Sequence, residues 1–201
     1  MSTNQSEARP FRLAVVQMDP QIGAVERNTR TILERLEQAA VAGAQLIVFP
    51  ECAVSGYVFE SAADALPSTV TAEGLLTGAL QEVCRRHNVY TLVGALEQDG
   101  DALYNSALIV GPEGLVACYR KCHLPVLGID RFVAEGDSLP VIDLPFARIG
   151  VLICYDVRFP EAARTLTLRG IDLLLVPTNW PAGAESAPEF LTRARAWENR
   201  V

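Results

Sequence analysis

An α/β fold with mixed sheets is what this sequence predicts, on three observations. Short apolar runs of strand length alternate with segments whose apolar residues recur at three- and four-residue steps. Asp99-Gly100 lies between two apolar runs and favours a hairpin, so part of the sheet is antiparallel. No internal repeat, low-complexity tract or linker divides the chain, which predicts one domain over residues 11–201 behind a polar tail at 1–10.

Residues 11–18 read as a buried strand, being rich in β-branched and aromatic side chains. Val25, Thr29, Ile32, Leu33, Leu36, Ala39 and Ala40 then make one helical face, closed by Gly43. Residues 46–49 follow as a second buried strand, completing a βαβ unit. Leu75, Leu76, Ala79, Leu80, Val83 and Cys84 form the inner stripe of a second helix. Residues 89–96 and 107–110 read as the hairpin strands, and the turn 111–114 leads to another strand at 115–119. Further strands are expected at 149–153 and 171–176, around a helix that Pro160 opens and Gly170 stops. The chain from Glu189 onward is again helical in pattern.

Composition excludes several functions. A net charge of -7 and a pI near 4.9 argue against nucleic acid, which requires a basic face. His87 and His123 have no ligand-like neighbours at metal spacing, so no metal is expected. No apolar run approaches the ~18 residues that span a bilayer, and the N-terminus lacks a secretory h-region. Five scattered cysteines do not form a disulfide framework and fit a reducing, cytoplasmic setting.

Three residues share one context. Glu51 follows the apolar run 46–49 and Pro50; Lys121 follows the run 115–119; Cys154 follows 149–153. Sites in open α/β sheets form beyond the carboxyl ends of strands, so these three groups can meet although far apart in sequence. A thiol needs a base or a positive environment to become a nucleophile. Glu51 can take its proton and return it to a departing amine, while Lys121 favours the thiolate and stabilises an oxyanion. The backbone N–H of Tyr155 is a second candidate oxyanion donor. The chemistry is cleavage of an amide through a thioester, then hydrolysis by water, with no cofactor.

The motifs that carry these residues are Phe49-Pro50-Glu51 with Ser55-Gly56-Tyr57, then Tyr119-Arg120-Lys121-Cys122-His123-Leu124, then Ile153-Cys154-Tyr155-Asp156 with Arg158-Phe159-Pro160-Glu161. In order and spacing they resemble the nitrilase superfamily of carbon–nitrogen hydrolases. The resemblance implies an α-β-β-α sandwich that dimerises, or forms a higher homo-oligomer, and a catalytic triad of Glu51, Lys121 and Cys154. Cys154-Tyr155-Asp156, where true nitrilases usually have Cys-Trp-Glu, is similar to the amidase-like branch. N-carbamoyl amino acid or amine hydrolases are the competing enzymes, and a non-catalytic metabolite-binding relative is the competing class.

Two departures accompany the resemblance. Many members carry a second glutamate shortly after the lysine; here the nearest acid is Asp130, one methylene shorter, with Glu135 close by. Members also continue for roughly 60–80 further residues, so the chain reads as truncated at its C-terminus. Outside the triad, Arg158 has the planar fork for a substrate carboxylate, or else pairs with Glu161 or Asp156. Asn179 and Trp180 are candidates for lining the substrate pocket. His123 reads as a structural hydrogen-bonding residue. The remaining cysteines, Cys52, Cys84, Cys118 and Cys122, read as small core hydrophobes.

Overall fold

The structure, a computed structural model, describes residues 10–201, so the expected polar tail, save Pro10, lies outside the described residues. The first βαβ unit comprises β1 (Leu13–Val15), α1 (Val25–Val41) and β2 (Leu46–Val48), with β1 and β2 parallel and Leu13 opposite Leu46. Gly43 ends the turn after α1 with a positive φ of 88°, as the stop signal requires. A correction concerns β1: it is a three-residue edge strand, and Val15 is 76% exposed. Leu13 and Val15 share a face with Leu46 and Val48, which the second sheet covers, but that cover stops short of the edge.

The short helix α2 (Ala62–Ala65) was not legible as a periodic pattern; Ser61 caps it by accepting the Asp64 N–H at 3.1 Å. Then comes α3 (Leu75–His87), whose buried stripe is Leu76, Thr77, Leu80, Val83 and Cys84. Leu75 was expected on that stripe and is instead 97% exposed, because it occupies the first helical turn and points off the sheet.

Strands β3 (Tyr90–Asp99) and β4 (Ala102–Gly111) form the antiparallel hairpin, and β5 (Gly114–Arg120) extends it. Asp99 pairs with Ala102, so the two turn residues are Gly100-Asp101 rather than Asp99-Gly100. Gly100 alone of the two has a positive φ, 59°, the pattern of a type II′ turn. The five-stranded sheet runs β1-β2-β3-β4-β5, parallel through β3 and antiparallel beyond it.

A second sheet holds β6 (Val141–Leu144), β7 (Ala147–Val151) and β8 (Leu173–Leu175), antiparallel then parallel. Strand β6 was not anticipated: it is four residues long, and its turn, Pro145-Phe146, lacks the Gly or Asn that marks a hairpin. Helix α4 (Pro160–Leu168) joins β7 to β8 with Pro160 in its first turn, and a π-helical turn, Ala187–Leu191, leads into α5 (Thr192–Asn199).

Strand alternation sorts the side chains into layers. Leu46, Val48, Leu92, Ala107 and Ile109 of the first sheet pack on Ile142, Leu144, Ile149, Val151 and Leu175 of the second. The opposite face of the first sheet, Ile47, Val93, Ala95, Leu108 and Val110, packs on Ile32 and Leu36 of α1 and Leu76, Leu80 and Val83 of α3. Ala162, Ala163 and Leu166 of α4 cover the outer face of the second sheet. The result is an α-β-β-α sandwich. Burial on both faces explains why the strands read as continuous apolar runs.

Candidate active site

Glu51 sits in the turn directly after β2, fully buried. That turn lies flat on β3 at Gly94, where a Cβ would stand 2.2 Å from the Pro50 carbonyl oxygen and 2.7 Å from Glu51 Cα. Only glycine admits that approach. Lys121 leaves the end of β5, and its backbone N–H is held by the Asn105 carbonyl at 2.9 Å on β4. Cys154 opens the turn after β7 with a φ of 48°, an uncommon conformation for a residue with a side chain. Its N–H donates to the Pro177 carbonyl at 3.0 Å, beyond β8.

These strand ends converge. Lys121 Nζ donates to Glu51 Oε1 at 2.7 Å and to Asp130 Oδ2 at 2.5 Å, with all three side chains closed to solvent. Asp130 reaches the lysine despite its short side chain because the turn Gly128–Arg131 carries its backbone inward. Gly128 makes that possible: its φ is 53°, and a Cβ there would fall 2.3 Å from the Tyr57 ring. Tyr57 donates its hydroxyl to Asp130 Oδ2 at 2.8 Å. Glu135, the other nearby acid, is exposed and takes no part.

Asn105 completes the cluster. Its amide donates to Glu51 Oε1 at 2.8 Å and to Asp130 Oδ1 at 2.9 Å, bridging both carboxylates around the ammonium. The sequence reading did not single it out. The available signal was Asn105-Ser106, two polar residues interrupting a strand that is otherwise apolar and buried. Tyr57 was read only as part of a motif and likewise belongs to the site.

The electrostatics divide the groups. Burial alone would lower the Lys121 pKa, but the charges of Glu51 and Asp130 outweigh it and hold the ammonium above the ordinary lysine value. Burial, then the Glu51 charge, push the Cys154 thiol well up; Lys121 pulls it down, as expected of it, without prevailing. Glu51 and the Asn179 backbone amide both lie close to the sulfur. Glu51 Oε2 accepts that Asn179 N–H at 3.0 Å.

Cys154 lies at the base of a pocket of about 170 Å³, lined also by Tyr57, Leu127, Tyr155, Arg158, Asn179 and Trp180. The four residues expected at the pocket, Tyr155, Arg158, Asn179 and Trp180, thus all face it. Arg158 pairs with neither Glu161 nor Asp156: it is exposed, lies over the Tyr155 ring at 5.5 Å, and among the described residues forms no ion pair. A wider cleft of about 390 Å³ opens behind Asn179 and Trp180, between Val15, Met18, Phe49 and Val176, and excludes Cys154 and Lys121. None of the five cysteines is disulfide-bonded, and no helix of the described residues is long and apolar enough to cross a membrane.

Comparison with known proteins identifies the family. The carbon-nitrogen hydrolase family model matches residues 12–201. A nitrilase of Pyrococcus abyssi is 40% identical over 195 residues, covering 94% of this chain and 72% of that protein. An omega-amidase of Homo sapiens is 34% identical over 206 residues, covering 95% of this chain and 72% of that protein. Among solved structures, a mutant amidase from Nesterenkonia sp. AN1, carrying the Michael adduct of acrylamide at its active-site cysteine, superposes with a TM-score of 0.82 at 27% identity, over 96% of this chain and 76% of that one. The chain belongs to the carbon–nitrogen hydrolase family, in the amidase-like branch of the nitrilase superfamily, and is a hydrolase of non-peptide carbon–nitrogen bonds.

Proposed function

We propose that this chain cleaves small amides with Cys154 as nucleophile, Glu51 as general base and acid, and Lys121 as oxyanion stabiliser. As Cys154 Sγ bonds to the amide carbon, its proton passes to Glu51; the carbonyl oxygen, gaining charge, is met by the Lys121 ammonium and the Tyr155 backbone N–H. Collapse breaks the carbon–nitrogen bond, and Glu51 hands the proton to the departing ammonia or amine. Water, deprotonated by Glu51, then attacks the thioester and releases the acid with the thiol restored. Asp130 and Asn105 hold Lys121 and Glu51 in place.

The observation that carries this reading is the meeting of carboxylate, ammonium and thiol at one end of two sheets, beside a pocket of about 170 Å³. That volume is below the roughly 300–1,000 Å³ of pockets for drug-sized ligands and suits a substrate of a few heavy atoms. The unpaired Arg158 at its rim supports an amide that carries a carboxylate at its far end, in line with the omega-amidase relative. We place residues 11–201 in one functional unit, in a cytoplasmic setting, that self-associates. Exposed Leu168 of α4, Phe190 before α5 and Trp197 on α5 support such a contact.

The test is ammonia release from a panel of small aliphatic amides and ω-amides. The wild-type chain should turn over at least one, and Cys154→Ala should fall by about a thousandfold or more while unfolding at the same urea concentration. Equal release from the variant would refute the assignment.

A further inference from the structure

Asp156, two residues after Cys154, is fully buried, and both its oxygens are bound by the segment that carries Lys121. Its Oδ2 accepts the Tyr119 hydroxyl at 2.8 Å. Its Oδ1 accepts the His123 backbone N–H at 2.9 Å and lies 2.7 Å from His123 Nδ1. Tyr119 and His123 flank Lys121, one on each side. Asp156 also closes the nucleophile's own turn: Oδ2 accepts the Ile153 N–H at 2.8 Å, and the Asp156 N–H donates to the Ile153 carbonyl at 3.0 Å. The His123 ring stacks on Phe159 at a centroid distance of 3.9 Å, fastening the far end of the same turn.

One carboxylate therefore joins both sides of Lys121 to the turn that holds Cys154 in its positive-φ conformation. The two residues come from different sheets, and those sheets meet through apolar side chains. Apolar contact is non-directional: it sets the spacing of the layers but leaves their register soft. Hydrogen bonds to a buried carboxylate are directional and strengthened by the low local dielectric, so they fix what the apolar contact cannot. Asp156 does not line the pocket, and no role in substrate contact falls to it.

We propose that Asp156 is a positioning residue, which sets the Cys154 turn against Lys121 so that thiol and ammonium address the same carbonyl group. The inference rests on the reading of Cys154 and Lys121 given above. Tyr119 and His123 are its partners in that task.

The test is alkylation of Cys154 by 2-chloroacetamide, an electrophile with an amide head, followed by intact mass and peptide mapping on the 201-residue chain. Wild type, Asp156→Asn and Tyr119→Phe are compared, each normalised to the sites that label on exhaustive exposure. Tyr119→Phe keeps the buried volume and the Ile153 bond but loses the tie to the lysine strand. The maximal labelling rate should fall about tenfold in Tyr119→Phe and about a hundredfold in Asp156→Asn, with half-saturating concentrations within about twofold of wild type. Variants that label at the wild-type rate, or that lose only half-saturation, overturn the proposal. If Asp156→Asn does not fold, Tyr119→Phe decides by the same criteria. A wild-type Cys154 no more reactive than Cys122 would sink the nucleophile assignment and this inference together; a selective wild type with indifferent variants sinks this inference alone.

Discussion

Glu51 Oε1 and Lys121 Nζ stand 2.7 Å apart with neither side chain reaching solvent, and Asp130 binds the same ammonium from the other side. Two carboxylates and one ammonium leave this cluster one positive charge short of balance when all are ionised. Six hydrogen bonds offset the desolvation: the lysine to both acids, the two Asn105 bonds, the Asn179 N–H and the Tyr57 hydroxyl account for it between them.

The imbalance makes the two partners unequal. Lys121→Met leaves two buried carboxylates facing each other and should lower stability by about 3–5 kcal/mol at neutral pH. Glu51→Gln leaves a neutral Lys121–Asp130 pair and should cost less than about half as much, although both variants lose turnover. Urea unfolding at pH 7 checks the order; equal losses would contradict it.

Asn105 is the residue to change next. Asn105→Ala strips a donor from both Glu51 and Asp130 and should destabilise by about 1–3 kcal/mol. Asn105→Asp adds a third carboxylate and should be worse than alanine above the carboxylate pKa range, with the difference narrowing in acid. Thermal unfolding of both variants from about pH 3 to about pH 7, which spans the ~4 of ordinary carboxylates, measures this.

The role proposed for Arg158 is in substrate choice rather than chemistry. Arg158→Ala should raise KM for an amide bearing a terminal carboxylate by about 10- to 100-fold, the worth of one charged hydrogen-bonded contact, and leave KM for a neutral amide within about twofold. Steady-state kinetics on the two substrate types separates the outcomes, and an equal effect on both would remove Arg158 from recognition.

Glu97 supplies a pH-dependent share of stability. Burial would raise its pKa, but hydrogen bonds from Arg120, Ser106 and Cys118 outweigh that and hold it below the ordinary glutamate value. A depressed folded pKa stabilises above the unfolded value of about 4.3 and loses that contribution as pH falls through the folded one. The stability gap between wild type and Glu97→Gln should therefore be widest near pH 7 and shrink below about pH 4. Urea midpoints at pH 7 and pH 3 would expose a constant gap, which the ion pair of Glu97 with Arg120 at 2.6 Å does not allow.

By itself, the sequence determined the alternation of layers and the family. Burial on both sheet faces leaves apolar runs such as Leu46-Ile47-Val48-Phe49, helices leave a 3.6-residue period, and each of the three chemical motifs is itself a short local run. What it left open depended on contacts distant along the chain. Whether Asp130 reaches Lys121, which carboxylates Asn105 bridges, and that Val15 lies at an uncovered edge are settled by contacts beyond the reach of any local pattern, from 9 to 54 residues apart in the case of the site. The same holds for the thiol: a cysteine after an apolar strand is legible as a candidate, but the upward push on its pKa comes from burial and from Glu51, a hundred or so residues away in the chain and adjacent only when folded. Local periodicity and short motifs survive in one dimension because they are made by neighbouring residues; charge balance, reach and exposure belong to the packed structure because they are set by whatever the fold brings close.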